Sequence, residues 1–371
     1  MSSSQAITVA AVEGGGTTFC IAVAQLTEDG GTNIVHRISI DSSHEDPQRT
    51  LWECSTFLKG NKPPGGYAAL GLATFGPVGL DPEKETYGCI LASSPKKAWR
   101  GVNVLEPLVE ACQGPDCSLA VRVETDVNAP AWAEYELQDQ RISSLAYVTV
   151  GTGVGVGMVV NDMPVHGRMH PEGGHCPVQP LEGDSFPGYS WGHDHSPFGG
   201  KHTVEGIASS VALMERLQHR KGQKNTLSRH VLADLDDNDE IWDHAANALA
   251  NLCVTLILTT SIEKIIFGGG VLSRNGLLEK VRKQTVKLMN GYVELPEDMS
   301  ELIDLSSWGD DAGLMGAVVL ARKAYEESKD DELLNDERTF PSDYFRGMLT
   351  GVLVSVGIMA VMGRRQGMLR S

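Results

Sequence analysis

The chain has 371 residues, 41% apolar and 21% charged, with 41 glycines, a make-up that fits a folded protein large enough for two lobes. Its 48 acidic and 31 basic side chains give a formal charge of −17 with no Lys/Arg cluster, which argues against nucleic acid as a partner. The 7 cysteines are scattered, and the N-terminus carries no charged-then-apolar leader, so the catalytic part is expected in a reducing compartment with its thiols free.

Two apolar β-type runs open the chain around the small-residue turn Gly14-Gly15-Gly16-Thr17-Thr18, and strands are predicted at 36–40, 68–73 and 119–123, with a surface loop at 59–66. The string Val123-Glu124-Thr125-Asp126-Val127-Asn128-Ala129 puts a carboxylate between a strand and a predicted helix at 129–137, where ligands of open α/β sheets gather. A second glycine hairpin, Gly151-Thr152-Gly153-Val154-Gly155, repeats the design of the first. Such turns let backbone N–H groups approach an anion, because glycine has no Cβ to hold it off. Both join strand to strand, so neither is a P-loop or a dinucleotide fingerprint.

Residues 161–203 form a long irregular segment holding six of the 11 histidines (His166, His170, His175, His193, His195, His202) together with Cys176, and loops of that size are usually functional. Helices are predicted at 204–220 and 237–260, the second with an apolar face at helical spacing. A strand at 264–267 leads into a third glycine turn, Gly268-Gly269-Gly270-Val271, and Gly309-Asp310-Asp311-Ala312 opens a helix whose aspartates suit the positive end of its dipole. Residues 329–346 read as an acidic linker. Residues 347–363 are uncharged between Arg346 and Arg364-Arg365, and as a helix would reach roughly 25 Å, making this stretch a candidate C-terminal membrane anchor. A helix docked on the protein's own surface is the competing reading.

These strings together resemble the ROK family of sugar kinases, and within it the fructokinase branch. Val12-Glu13-Gly14-Gly15-Gly16-Thr17-Thr18 is similar to its first phosphate loop, Thr74-Phe75-Gly76-Pro77 to its sugar-side turn, and Ser94-Pro95-Lys96 to the Thr-Pro-Lys segment of fructokinases. Glu124 to Ala129 resembles the catalytic segment, and Gly151 through His170-Pro171-Glu172-Gly173-Gly174-His175 the family signature. The resemblance implies an α/β, actin-like ATPase (ribonuclease H-like) fold of two lobes with a duplicated core and a cleft between them. The lobes would be 1–123, completed by a helix at 310–328, and 124–309.

It further implies that Asp126 is the general base, that Gly76, Pro77, Pro95, Lys96, Asn128, Glu172 and His175 bind the sugar, and that Gly14 to Thr18, Thr152, Gly153, Gly268, Gly269, Gly270 and Val271 bind ATP with Mg²⁺. Two departures stand out. Thr18 occupies the place where the family's loop carries lysine, so a positive charge near the phosphates is expected to be missing. The family holds Zn²⁺ through the histidine at 175 and a downstream Cys-x-x-His-x-x-Cys pattern, whereas this chain reads Ser196-Pro197-Phe198-Gly199-Gly200-Lys201-His202; a substitute zinc site on His175 with His193, His195 or His202 competes with a zinc-free loop.

The expected reaction is ATP-dependent phosphorylation of a hexose, D-fructose to fructose 6-phosphate, with Thr125 in place of the aldose kinases' asparagine favouring the ketose. Mannose, glucose or an N-acetylhexosamine is the alternative substrate, and a membrane-tethered sugar sensor without turnover the alternative of another class. The catalytic part is expected in the cytoplasm, tail-anchored to an intracellular membrane if 347–363 is an anchor, with a homodimer as a candidate assembly. The first strand, starting at Ile7, is read as leaving no room for the DNA-binding domain of the family's repressors.

Overall fold

The computed structural model describes residues 6–27, 30–42, 46–115, 118–138, 142–189, 196–221 and 230–338. The first sheet contains β1 (Ile7–Gly14), β2 (Thr18–Leu26), β3 (Thr32–Asp41), β4 (Ala69–Thr74) and β5 (Ala120–Thr125), in the order β3-β2-β1-β4-β5. The second contains β6 (Ser144–Val150), β7 (Val154–Val160), β8 (Met163–Pro164), β9 (Lys264–Gly268) and β10 (Ile303–Leu305), in the order β10-β9-β6-β7-β8. In each sheet the first three strands run antiparallel and the last two add in parallel beside the first. The core is therefore duplicated, β1 to β5 matching β6 to β10 one for one.

Each sheet has its own apolar core. Under the first, α1 (Pro47–Gly60) and α2 (Leu105–Cys112) bury Leu51, Leu58 and Leu108 against Val12, Ile21 and Leu72. Asp46 caps α1, accepting from Arg49 N (3.1 Å), with Pro47 in the first turn where its missing N–H costs nothing. The second core gathers α4 (Val204–Ala208), α5 (Ser210–Lys221), α7 (Ile241–Thr260) and α8 (Leu277–Met289) over β6, β7 and β9, with the short α6 (His230–Ala233) between α5 and α7. Among the described helices α7 alone is long and apolar enough to cross a membrane, but most of it is buried in this core.

The predicted helix at 204–220 is broken at Ser209, whose backbone is extended. Ser209 Oγ accepts from Ala212 N (3.2 Å), and the break directs Ser210 N onto Gly151 O (2.8 Å), tying α5 to the second glycine hairpin. The predicted helix at 237–260 starts only at Ile241, because Asp236 and Asp239 spend their carboxylates on the N–H groups of Asn238 (2.8 Å) and Ile241 (3.1 Å) in a turn.

Two helices connect the sheets. α3 (Asn128–Glu136) leads from β5 to β6, and α9 (Ala312–Arg338) follows β10. α9 approaches the first sheet so closely that a Cβ on Gly71 would lie 2.1 Å from Ala317 O. Glycine is required there by contact with backbone. Chain contacts delimit one compact unit, Met1–Ala324, and a second, Tyr325–Ser371, in which the described residues are helical. Residues 329–338 of the predicted linker instead continue α9, while 339–346 and the candidate anchor at 347–363 lie outside the described residues.

Candidate active site

Strand register brings the predicted loops together. In the first sheet Gly14 pairs with Thr74 and Thr74 with Thr125, so the Gly14 to Thr18 turn, the Gly76-Pro77 turn and Asp126 leave the same end of three adjacent strands. Phe75 N donates to Gly14 O (2.8 Å) and Asp126 N to Thr74 O (2.9 Å), which fixes the three exits to one another. In the second sheet Thr149 pairs with both Gly155 and Gly268, placing Thr152 and Gly153 beside Gly268 to Val271. These are the carboxyl ends of the parallel strands, where an open α/β sheet offers space for a ligand.

Asp126 has electrostatic neighbours from both halves: Lys96 and Glu13 from the first, Glu172 and Tyr147 from the second. Burial raises its carboxyl to about 6, and Lys96 opposes the rise. Glu13 is pushed up to about 7, by burial first and then by the charges of Asp126 and Asp311, with Arg37 opposing. Its carboxylate rests against the head of α9, where a Cβ on Gly313 would meet Oε1 at 2.0 Å. Glu172 meets solvent with 42% of its side chain, yet its concave surroundings and the charges of Glu205 and Asp126 push it up to about 7 as well.

The expectation that no cation serves the first loop is corrected. Lys96 Nζ donates to the carbonyl oxygens of Gly15 (3.1 Å) and Gly16 (2.8 Å). Lys96, read from the sequence as a sugar ligand, lies 80 residues from Gly16, so its contact with the first loop has no local signal. Pro95 beside it is exposed.

On the second-lobe side of Asp126, Glu172 lies between two imidazoles, its Oε1 3.5 Å from His170 Nδ1 and its Oε2 3.8 Å from His175 Nε2. His170 is buried against the Gly76 turn, where a Cβ would come within 3.0 Å of the ring, and burial lowers its proton affinity. Asn128, read from the sequence as a sugar ligand, is wholly buried and turned elsewhere. Its amide donates to Glu124 Oε2 (3.2 Å) and Val165 O (3.5 Å) and accepts from Met158 N (3.1 Å), so it positions the segment carrying Asp126.

Three further residues had no role assigned from the sequence. Glu205 Oε2 accepts from Val154 N (2.9 Å) and holds the second glycine hairpin from the first turn of α4. Glu124 is buried and engaged by Asn128 and by His166, whose Nε2 lies 2.8 Å from Glu124 Oε1. That bond raises the proton affinity of His166. The signal for Glu205 is the N-cap Thr203 two residues before it; Glu124 and His166 have no local signal, since 42 residues separate them.

A zinc site finds no support. Among the described residues no group of three or more His, Cys, Asp or Glu side chains is arranged to bind a metal ion. His175 faces Glu172, while Ser196 and Gly199 stand where the resemblance calls for thiolate and imidazole. His202 is held by its backbone, donating to Pro187 O (2.8 Å) and accepting from Val178 N (2.6 Å). His193 and His195 lie outside the described residues.

A cavity of about 300 Å³ in the second lobe is lined by Asp184, Phe186, Arg216, His219 and His244. None of the glycine turns lines it. Asp184 and Arg216 form a buried two-point pair (2.8 and 2.8 Å), with His244 Nδ1 3.2 Å from Asp184, so its central charges satisfy one another.

A duplicated α/β core with glycine turns at matching sheet ends and a carboxylate between them defines the actin-like ATPase fold. The chain belongs to the ROK family, the family of sugar kinases that its motifs resemble, whose model matches residues 9–324. It is 35% identical over 317 residues to the fructokinase of Zymomonas mobilis subsp. mobilis, covering 84% of this chain and 96% of that one. With the fructokinase of Lactococcus lactis subsp. cremoris the identity is 31% over 295 residues, 79% of this chain and 89% of that one. The ROK hexokinase of Thermus thermophilus shares the fold, with a TM-score of 0.65 at 23% identity over 87% of this chain and 99% of that one.

Proposed function

We propose that this chain is an ATP-dependent fructokinase that phosphorylates the 6-hydroxyl of D-fructose. The observation that carries the reading is the position of Asp126, which shares one electrostatic cluster with the first glycine turn, through Lys96, and with Glu172 on the opposite side. The fructokinase relatives and Thr125 favour the ketose.

In the reaction, the Asp126 carboxylate takes the proton of the 6-hydroxyl as that oxygen bonds to the γ-phosphorus of ATP. The bond from the γ-phosphorus to its bridging oxygen breaks, the electron pair leaves with ADP, and Asp126 returns its proton to solvent. The turns at Gly14 to Thr18, Thr152-Gly153 and Gly268 to Val271 offer backbone donors to the phosphates and a wall to the nucleoside. Glu172, His175, His170 and the Gly76-Pro77 turn form the sugar side. Mg²⁺ entering with ATP supplies charge neutralisation on the phosphates. Glu13 and Asp126 are oxygen donors of the kind it takes, and their mutual repulsion fits a site that receives a cation.

The test is a coupled assay of ADP release with fructose, mannose, glucose and N-acetylmannosamine. Fructose is expected to have the highest kcat/KM, by about tenfold or more, with product phosphorylated at the 6-position. Preference for an aldose would replace the sugar assignment, and a chain that binds fructose without releasing ADP would be a sensor.

The proposal includes membrane attachment through residues 347–363, supported by their uncharged run between arginines. The full chain is expected in the membrane pellet and released by detergent, and a chain ending at Ser328 in the supernatant with its activity intact. Equal partition of the two would remove the attachment.

A further inference from the structure

Lys96 stands out from the other basic side chains near the site. Its ammonium lies 3.4 Å from the centroid of the Phe75 ring. Phe75 is held edge-on to Trp99 (5.3 Å, 88°), and Trp99 is stacked on Phe19 (5.3 Å, 13°) in the first core. The ammonium therefore rests on a rigid aromatic base, where cation–π attraction offsets part of its desolvation.

From that base it donates to Gly15 O and Gly16 O. A trans peptide is planar, with its C=O and N–H pointing in opposite directions. Drawing these two carbonyls toward Lys96 turns the N–H groups of Gly16 and Thr17 the other way. The turn is closed below them by Gly15 N donating to Thr18 O (2.9 Å). A carbonyl pin of this kind holds backbone donors in the orientation an anion requires.

The charge of the same ammonium also acts on Asp126. The other titratable groups facing that carboxylate are Glu13 on β1, Glu172 in the histidine-bearing loop and the phenol of Tyr147 on β6. Lys96 is the cation of that set. Burial lowers its own proton affinity to about 8, opposed by Asp126.

We propose that Lys96 is a positioning residue for both halves of the reaction centre, fixing the first glycine turn with its N–H groups toward the phosphates and bringing its positive charge to bear on the Asp126 carboxylate. The inference rests on the reading of Asp126 as the base. It deepens that reading by assigning the loop's cation to residue 96, where residue 18 is a threonine.

The experiment compares the full chain with Lys96→Met and Lys96→Arg, measuring kcat/KM against pH, KM for ATP and for fructose, thermal unfolding, and affinity for a non-hydrolysable ATP analogue by calorimetry. For Lys96→Met the acid limb of the pH profile is expected to rise by about one unit, and KM for ATP and the analogue's Kd to rise about tenfold. KM for fructose should stay within about twofold. Lys96→Arg keeps the charge with a different donor geometry, and is expected to restore the acid limb but not the ATP affinity. An unmoved acid limb, or loss of activity by one factor at every pH in step with lost thermal stability, would overturn the proposal. Should the wild-type chain turn over no sugar, the reading of Asp126 fails by itself; unchanged analogue affinity in Lys96→Met would then also remove the pin.

Discussion

Glu13, Asp126 and Glu172 are three carboxyls in one electrostatic cluster, each pushed up by burial first; neighbouring acids add to the rise at Glu13 and Glu172, whereas Lys96 opposes it at Asp126. Glu13 has a consequence for stability. Its proton affinity rises from 4.5 to about 7, so the folded chain keeps a proton that the unfolded chain gives up across that interval. The resulting stability is present at low pH and is lost as pH rises through about 7. Glu13→Gln is therefore expected to unfold a few degrees above the wild type at pH 8, corresponding to about 1–2 kcal/mol after allowing for solvent screening. The difference should vanish at pH 4, as read by calorimetric melts, and the variant should lose kcat. An equal or lower melting temperature at pH 8 would show that this carboxyl is not repelled. Asp126, Glu172 and Lys96 could be found in the sequence because each lies in a distinctive string. Glu124 and His166 could not be paired there, because only the fold brings them together.

At the scale of elements, the glycines of this chain do two different jobs. Those at 16 and 270 have open space where a Cβ would sit, whereas Gly71 lets α9 touch a buried strand. Gly71→Ala would bring a Cβ to 2.1 Å from Ala317 O and 2.5 Å from Ala321 N. Overpacking against rigid backbone costs about 1–3 kcal/mol or more, so the midpoint of denaturant unfolding is expected to fall, and an unchanged midpoint would mean that α9 sits further from β4. The strand-turn-strand pattern was legible because alternation and glycine clusters are local. The break at Ser209 was not, since its cause is the hydrogen bond from Ser210 to Gly151 on another element. The late start of α7 at Ile241 reflects competition from the Asp236 and Asp239 carboxylates, a choice that periodicity alone does not register.

At the scale of the whole molecule, contacts crossing between the two sheets build the site. His166 reaches Glu124 at the end of β5, and His170 packs on the Gly76 turn. Away from the site, Glu134 on α3 accepts from Ser306 Oγ (2.5 Å) just after β10, and Arg322 and Lys323 on α9 engage Glu136, which ties α3 to the second sheet and to α9. The duplicated architecture was legible as two hairpins of one design. In the segment 161–203, histidine spacing alone did not separate metal ligands from groups that hold carboxylates: His166, His170 and His175 each lie beside a glutamate.

If Asp126 accepts the proton of the sugar hydroxyl, the pre-steady-state and steady-state rates of ADP formation by Asp126→Asn with fructose, read alongside fructose affinity in the presence of a non-hydrolysable ATP analogue, should show it. A fall in kcat of about 10²–10⁴-fold is expected, with fructose affinity within about threefold of the wild type. Turnover by Asp126→Asn close to that of the wild type would contradict it.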